Sequence, residues 1–584
     1  MERVAHRADL CVVGGGLSGM CAAVAAARHG ASVVLMQDRP VLGGNASSEI
    51  RMHVCGAHGR DNRETGIIEE LMLENRYRNP LRNYSLWDTV LYESVRFQRG
   101  ITLLLNCSCS GLRMAGDRIA SVTGWQLTTQ TWHTVEAILF ADCSGDSILA
   151  PLSGAKFRMG REARGEFGED IEPEQADART MGMSCLIQAR QTDRPQPFIP
   201  PGWAYRYPTD DDLPYREHHL ANDQNFWWIE LGGEGHSIHD TEEVRDELLK
   251  VAFGVWDHVK NHGEHAADNW VLEWVGFLPG KRESRRYVGD YVLTQNDVRG
   301  EGRFDDLVAY GGWTMDDHHP GGMNWPGVPT IFHPAPSPFG IPYRCLYSRN
   351  VANLFCAGRN ISVSHAALSA TRVMATCATV GQAVGTAAAI AARDGLGPRG
   401  VHDGRILALQ QALMDDDCYL PFNTRCVPAL TKRAALSACE GDPEPLRNGL
   451  DRPVGGADNG WSGGPGAWVA YTFPETSAVG EVRLVFDSDL NRPELNMLSH
   501  YARTIRPAGI PETLIRAFRL EVPDGDGGWQ TMVRIDDNHQ RLVRVPLDFQ
   551  TDAVRFVPEA TWGAGRFHVF AWDVAGPRLV DPVR

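Results

Sequence analysis

The sequence predicts an α/β fold with a parallel-sheet domain built from two separate stretches of chain, an α+β domain inserted between them, and an all-β sandwich. Three observations predict it: a strand–glycine loop–helix–strand pattern near the N-terminus, two later segments of related pattern, and short alternating segments near the C-terminus. The expected boundaries are 1–160 with 340–400 for the split domain, 161–339 for the insert, 401–445 for a helical linker and 446–584 for the sandwich.

Composition limits the classes of function. The 584 residues are too many for one hydrophobic core, and 43% hydrophobic with 22% charged residues is usual for globular proteins. The net charge of −16 argues against nucleic-acid and anionic-membrane partners. The N-terminus carries no signal-peptide pattern, and the apolar run CATVGQAVGTAAAIAA is too short for a membrane span. We therefore expect a cytoplasmic protein.

The distribution of cysteines also indicates a cytoplasmic protein. The 13 cysteines are scattered, as in proteins of a reducing compartment. No Cys-x-x-Cys pair occurs, and the polar run DDHH has no second ligand cluster with telling spacing. We expect no metal site.

The N-terminal pattern is specific. ADLCVVGGG reads as a strand, LSGMCAAVAAARHG as a helix and ASVVLM as a second strand. Gly14, Gly16 and Gly19 form GxGxxG at the strand–helix junction, which predicts a Rossmann-like dinucleotide-binding domain. The N–H groups at the helix start, from Leu17 and Ser18, are suited to bind a pyrophosphate.

The second strand ends atypically. Such strands usually end in Asp or Glu, which binds the ribose, but this one ends in Gln37, followed by Asp38 and Arg39. An amide can donate to and accept from a ribose hydroxyl, Asp38 could turn in, and Arg39 suits the 2′-phosphate of NADP. If Gln37 faces the ribose, glutamate should be tolerated there and leucine should weaken cofactor retention.

A Gly-Gly pair follows in VLGGNASSEIRMHVCG. With GxGxxG and the second strand before it, this order resembles the FAD-dependent oxidoreductases of the glutathione-reductase type, including a group found with bacterial carbohydrate utilisation. Gln37 departs from that family, which has Glu at the matching position. The resemblance implies that the segment runs under the flavin, with contacts from Gly43, Gly44, Asn45, Ser47 and Arg51.

Two later motifs occur in the order of the same family. AILFADCSGDSILA is similar to its strand–turn motif near the cofactor, which implies contacts from Asp142, Gly145 and Asp146. The segment 351–395 resembles its closing strand–glycine–loop–helix, with a helix of small residues from about Ala375. This likeness implies contacts from Gly358, Arg359, Arg372 and Gly381. Three motifs in order favour FAD over NAD(P). No second GxGxxG lies between a strand and a helix, so the electron acceptor stays open.

The insert is rich in tryptophan and in clusters of charged residues. Half of the 16 tryptophans lie in it, which suits a site that stacks the flat faces of sugar rings, although most single tryptophans belong to cores: Trp203, Trp227, Trp228, Trp256, Trp270, Trp274, Trp313 and Trp325. GKRESRRYVGDY contains an arginine cluster around Arg285. YGGWTMDDHHPGG reads as a loop over a pocket.

Oxidation of an alcohol requires a proton acceptor, and histidine suits the task. His365 lies between Gly358 and the closing helix, so we rank it first. His53, which could also carry a covalent flavin, comes second, followed by His319 and His318. Arg372 and Arg51 could stabilise an anionic flavin or an alkoxide.

The C-terminal region alternates short apolar segments with turns, as in WVAYTF and VGEVRLVFD, after the break GGADNGWSGGPG. The pattern resembles galactose-binding-like sandwiches, which bind sugars or pack on an enzyme.

Together these features predict an FAD-dependent oxidoreductase that oxidises a secondary hydroxyl of a sugar or glycoside by hydride transfer to flavin N5 with a histidine base. Two alternatives stay open: a fumarate-reductase-like enzyme with the Arg285 cluster as carboxylate clamp, and a carbohydrate-binding protein with structural FAD. The expected partner is a small molecule. The oligomeric state, a homo-oligomer included, stays open.

Overall fold

The computed structural model describes residues 2–220 and 225–577, which form two compact units. The first unit holds the glycine motifs and most of the chain, and the second holds the C-terminal β region. The first comprises 1–58, 81–410 and 495–507; the second comprises 59–80, 411–494 and 508–584. The segment expected as a separate insert, 161–339, lies in the first unit, and most of the expected linker 401–445 lies in the second.

The first unit is built on a seven-stranded mixed sheet. Its central strands are Glu2–Val13 and Thr131–Asp142, which run parallel to each other. On one side follow Val33–Met36 and Ile101–Leu104, and on the other side Arg118–Gln126 and Cys107–Ala115. Leu354–Cys356 pairs in parallel with the C-terminal half of Thr131–Asp142. The predicted α/β character of this region is confirmed.

Two helices of small residues pack on this sheet. The glycine-loop helix is Leu17–Arg28, and the closing helix is Met374–Asp394. Gly381 packs on the backbone of Ser18, where an added Cβ would lie 2.0 Å from the carbonyl oxygen, so only glycine allows this approach. The closing helix is longer than its apolar run suggested, long and apolar enough to cross a membrane, but 94% of its apolar window is buried in the structure. It is a core helix of the first unit.

Further helices of the first unit flank the sheet and extend the middle of the chain. The larger ones are Tyr84–Arg96, Thr241–Asn261 and His365–Thr371, with the start of Pro398–Asp415. Short helices span Leu149–Ser153, Arg164–Phe167 and Gln295–Arg299.

The middle strands are short and form small antiparallel sheets rather than one large one. They pair as Met183–Ser184 with Glu230–Leu231 and Gly280–Lys281, Ile187–Gln191 with Trp270–Val275, Phe157–Arg158 with Arg286–Tyr287, Leu307–Gly311 with Phe339–Pro342, and Met315–His318 with Thr330–His333. This part of the chain has the mixed α and β content that the sequence predicted.

The second unit is an antiparallel seven-stranded assembly, so the predicted all-β character of the C-terminal region is confirmed. Two long strands with register shifts, Val469–Phe486 and Leu542–Thr561, connect all the others into one hydrogen-bonded sheet. The others are Ala435–Ala438, Trp461–Gly463, Ile515–Pro523, Trp529–Ile535 and Phe567–Ala575. Their inward side chains form a core that contains Trp461, Tyr471, Phe518, Phe556 and Trp572.

The second unit also contains a segment from the N-terminal part of the sequence. The helix Ile67–Arg78 belongs to it, although residues 1–160 were expected in one domain. Its Glu69 accepts a hydrogen bond from Arg492 Nη1 at 2.8 Å, and both side chains are buried. Such a pair is stable only when both charges are present, so it fixes this helix to the β assembly.

Candidate functional site

A cavity of about 900 Å³ opens at the carboxyl ends of the parallel strands in the first unit. Val13 and Met36, the last residues of two neighbouring strands, line it, as does Cys143, which follows the third. Ligands of open parallel sheets bind at this edge. The cavity is therefore placed where the glycine motif predicts a dinucleotide.

The glycine loop fits a pyrophosphate. Gly14 has φ +104°, and a Cβ there would lie 2.4 Å from the carbonyl oxygen of Cys143, so the turn requires glycine. Gly16 faces open space: the nearest atom to an added Cβ is Gly44 Cα at 3.9 Å. The glycine-loop helix begins without a side-chain cap, which leaves its first N–H groups for an anion.

Gln37 makes two hydrogen bonds that the sequence did not predict. The side chain is buried; its Oε1 accepts from Gly15 N–H at 2.7 Å, and its Nε2 donates to Val41 O at 3.1 Å. The amide therefore ties the glycine loop to the chain after the second strand. Glutamate in its place would set a second acceptor against the Val41 carbonyl, which contradicts the expectation that glutamate is tolerated.

Asp142 and Asp146, both in the second motif, have different roles. Asp142 is fully buried and accepts from Ser144, Leu149 N–H and the Tyr287 hydroxyl, so it holds the loop and lies off the cavity wall. Asp146 lines the cavity and binds Lys281 Nζ at 2.8 Å and Arg359 Nη2 at 2.7 Å. Burial would raise the pKa of Asp146, but the charges of Arg359 and Lys281 lower it.

Most residues predicted to contact the cofactor line this cavity. They are Gly14, Gly16, Leu17, Ser18, Gln37, Asp38, Arg39, Gly43, Gly44, Asn45, Gly145, Asp146, Gly358, Arg359 and Arg372. Those that lie outside its lining are Gly19, Ser47, Arg51, Asp142 and Gly381.

Two of these exceptions have clear structural roles. Arg51 lies with its guanidinium over Trp274 at 4.6 Å and donates to Gln188 Oε1 at 2.7 Å. Ser47 donates to Gly44 O at 2.7 Å and closes the turn after the Gly-Gly pair. Both position the segment under the cavity, so the prediction that they contact the cofactor is corrected.

Three residues of the run predicted as a loop, DDHH, instead end the strand Met315–His318, and His319 follows the strand. Alternation along the strand separates Asp317 from Asp316 and His318. Asp316 and His318 line the cavity. Asp317 lies 3.4 Å from His365, and His319 stacks on Trp325 with ring centroids 4.1 Å apart. His319, which follows the end of the strand, lies outside the cavity lining, contrary to the prediction.

A charged network stands at this end of the cavity. His318 Nδ1 lies 2.7 Å from Glu230 and its Nε2 lies 3.2 Å from Asp316, while Arg372 donates to Asp316 Oδ2 at 2.9 Å. Arg282 pairs with Glu230 at 3.4 Å. Burial would raise the pKa of Asp316, but His318 and Arg372 hold it well below its usual range, so this carboxylate stays ionised.

His365, ranked first as the base, lies outside the cavity lining. It is buried, with Nδ1 2.9 Å from Glu283 and Nε2 3.4 Å from Asp317. Burial alone would lower the pKa of His365, but Glu283 and Asp317 outweigh it and raise that pKa well above 6.5. Because His365 lies off the cavity wall, it is not placed to take a proton from a substrate bound there, and this placement contradicts the prediction that it is the base.

Further residues, some predicted from the sequence and some not, lie in or next to the cavity wall. His53 lines the cavity, and the Ala375 N–H at the start of the closing helix donates to Cys55 O, so these two segments meet there. Trp227, Trp313 and Phe332 also line it. Glu230 and Lys281 were missed by the sequence reading; Glu230 ends the alternating run FWWIE, the one signal that could have found it.

Comparison with known proteins identifies a family match. The sequence model of the family described as FAD dependent oxidoreductase matches residues 9–413. Among curated proteins, none matches the chain significantly.

Parts of the chain are similar to solved structures. One is the glycerol-3-phosphate dehydrogenase from Bacillus halodurans complexed with FAD, at 15% identity over 32% of this chain and 41% of that one, with a TM-score of 0.21. Another is the family 32 carbohydrate-binding module of Streptococcus pneumoniae EndoD, at 14% identity over 26% of this chain and 98% of that one, with a TM-score of 0.20. Scores this low assign no fold.

Proposed function

The chain belongs to the FAD dependent oxidoreductase family and is an FAD-dependent enzyme, and from this premise we propose that it oxidises a secondary hydroxyl of a sugar or glycoside. The observation that carries the proposal is the pair Asp316 and His318 on the cavity wall. We assign the chain to the glutathione-reductase-type group on its three motifs. A carbohydrate-utilisation context and a cytoplasmic location stay predictions.

The glycine loop, Asp38, Arg39 and Arg359 would hold the cofactor along the wall. Bound FAD would supply the acceptor for the hydride that leaves the carbinol carbon. The chain itself must take the hydroxyl proton, and an acceptor within hydrogen-bond reach of the hydroxyl lowers the barrier to this transfer.

His318 is the proposed proton acceptor. Glu230 lies 2.7 Å from Nδ1, which favours the tautomer with the proton on that nitrogen and leaves Nε2 as the acceptor. In the structure Nε2 lies 3.2 Å from Asp316 Oδ2, so the substrate hydroxyl would take the place of this contact. The Asp316 carboxylate beside it would then stabilise the imidazolium that results. Arg372 holds Asp316 in place, so it acts as a positioning residue.

The cavity wall around this pair suits a polyhydroxylated substrate. The Trp227 ring packs edge-on against His318, with ring centroids 5.3 Å apart. The indole N–H of Trp313 is buried and has no hydrogen-bond partner among the described residues, so it can donate to a ligand hydroxyl. Aromatic faces beside polar hydrogen-bonding groups are what a sugar ring, with apolar faces and hydroxyl edges, requires.

A carboxylate substrate is the second candidate, because Arg282 and Arg372 both line the cavity. Each of them is already paired, with Glu230 and with Asp316, which reduces the positive charge offered to a ligand. Arg285, the clamp predicted from sequence, lies outside the cavity lining, with its guanidinium over Phe157 at 5.4 Å. The geometry therefore favours the alcohol.

The test is anaerobic reduction of the FAD-loaded enzyme by a panel of sugars and glycosides, followed as bleaching of the flavin absorbance. At least one should bleach the wild type. His318→Gln should keep FAD and slow bleaching by roughly 10²–10⁴-fold. His319→Gln is the matched control, because the neighbouring ring lies outside the cavity lining, and it should leave the rate unchanged.

Three results would contradict the proposal in different ways. If no sugar bleaches the flavin but enoates reoxidise the chemically reduced enzyme, the carboxylate candidate is correct. If His318→Gln retains the wild-type rate, His318 is not the acceptor. If His53→Gln loses the rate instead, His53 takes that role.

A further inference from the structure

We propose that the first unit contains a zinc site formed by Asp210, His218, His258 and His265, separate from the cofactor cavity. One ligand atom from each of these four side chains lies within 4.8 Å of every other. None of the four lines the cofactor cavity. Histidine nitrogens and a carboxylate oxygen are the ligands that Zn²⁺ prefers when cysteine is absent.

The four ligands come from different pieces of the chain. Asp210 begins the short 3-10 helix Asp210–Asp212, and His218 follows in the next loop. His258 lies in the last turn of the helix Thr241–Asn261, and His265 lies in the loop beyond it. The long stretch of sequence between His218 and His258 explains why no motif signalled a metal.

The distances match a tetrahedral ion. Zinc–nitrogen bonds of about 2.0–2.1 Å place tetrahedral ligands about 3.3 Å apart. His265 Nε2 lies 3.0 Å from His258 Nε2, and Asp210 Oδ1 lies 3.1, 3.5 and 3.6 Å from the Nε2 atoms of His258, His218 and His265. The three ring centroids are each 4.8 Å from the other two.

The ring orientations leave the converging nitrogens as acceptors. His218 Nδ1 lies 2.6 Å from Arg216 O, and His258 Nδ1 lies 2.7 Å from Tyr207 O. A carbonyl only accepts, so each Nδ1 carries the proton and each Nε2 presents its lone pair. This is the arrangement in which backbone carbonyls orient metal-binding imidazoles.

Hydrogen bonds among the four side chains explain this arrangement less well than a bound cation does. With the lone pairs of His218 and His258 turned inward, only the ring of His265 could donate a proton to the centre. The His265 side chain is 2% exposed, and its Nδ1 is buried without a hydrogen-bond partner among the described residues. A cation at the centre would satisfy all three Nε2 atoms and the carboxylate together.

The site would be structural rather than catalytic. Four protein ligands close a tetrahedral zinc site and leave no position for a substrate. It joins the C-terminal end of the helix Thr241–Asn261 to the loops around it, and the buried face of that helix packs in the core with Trp228 and Trp256. Zinc would therefore stabilise the first unit.

The experiment uses the full chain without a histidine tag, stripped with a chelator and then dialysed against zinc sulfate. Elemental analysis should find about one zinc per wild-type chain. His258→Gln and Asp210→Asn should each bind zinc at least tenfold more weakly. Asp210 is 69% exposed, so its substitution tests the site even if His258→Gln fails to fold. His262→Gln, on the same turn but outside the cluster, is the control.

A second readout uses cobalt, which gives intense visible absorption when tetrahedral. Wild type and His262→Gln should show it, whereas Asp210→Asn should not. Chelation should lower the melting temperature of the wild type and of His262→Gln, but not that of Asp210→Asn. Equal zinc content in wild type and Asp210→Asn, or no bound zinc in the wild type, would overturn the proposal. Neither result depends on flavin reduction, so the two proposals fail separately.

Discussion

Replacing Gln37 by leucine separates two roles for this side chain, holding the glycine loop and contacting a bound ribose. Leucine has a similar size but cannot accept from Gly15 N–H or donate to Val41 O, the two bonds that the buried amide makes. A buried N–H left without a partner costs about 1–3 kcal/mol. Since both bonds exist without a ligand, the cost should appear in the FAD-free protein.

The expected change in melting temperature depends on the size of the unit that unfolds. The first unit has about 400 residues, and unfolding entropies of about 2.1 cal/mol/K per residue convert 1 kcal/mol into roughly 1 °C. The melting temperature of FAD-free Gln37→Leu should therefore fall by roughly 1–4 °C in calorimetry. FAD affinity, measured by fluorescence titration, should fall by no more than the same free energy, about 150-fold at most.

Asp38→Asn is the control, because Asp38 is an exposed neighbour on the same cavity wall. It should leave the melting temperature of the FAD-free protein unchanged. The reasoning is refuted if Gln37→Leu melts like the wild type without FAD yet binds FAD more weakly, since the amide would then act on the ribose.

Two further predictions concern buried charges. Burial, with the neighbouring carboxylates of Glu162 and Glu169, raises the pKa of Glu172 from 4.5 to about 7, despite the opposing charge of His365. The Glu172 carboxyl ionises at a lower pH in the unfolded chain than in the folded one, so raising the pH from 4.5 to about 7 favours unfolding. The wild type should therefore lose roughly 3 kcal/mol of stability relative to Glu172→Gln over this range. Melting temperatures of the two proteins that change in parallel with pH would contradict this prediction. In the second unit, Glu69→Gln leaves buried Arg492 without its charge partner and should cost roughly 3–5 kcal/mol in denaturant unfolding. A Glu69→Leu, Arg492→Met double variant should recover much of that loss, and equal losses in both variants would argue against the charge mechanism.

The glycine loop and the motifs near it could be predicted from the sequence because their constraints are local. Gly14 and Gly16 have conformations and clearances that depend on a few neighbouring residues, and the small residues of the closing helix record its close packing. Most of the residues predicted for the cofactor therefore line the cavity, and their contact with FAD stays a prediction.

The end of the cavity around His318 could not be predicted, because it depends on the alternation of side chains along a strand and on partners that are distant in sequence. The letters DDHH do not distinguish a loop from a strand, yet the strand places His318 on the cavity wall and Asp317 towards His365, and it ends before His319. Proximity in sequence to Gly358 suggested His365, but it lies off the cavity wall, with Nδ1 2.9 Å from Glu283 of a different part of the chain. Pairings of this kind leave no local signal.

The strand Thr131–Asp142 has a consequence for synthesis of the chain. Its C-terminal half pairs with Leu354–Cys356, and about 210 residues must be translated between Asp142 and Leu354. At a translation rate of 5–20 residues per second, this strand edge stays unpaired for about 10–40 s before its partner strand is synthesised. We expect the nascent first unit to depend on chaperones during this interval, since an open strand edge promotes misassociation.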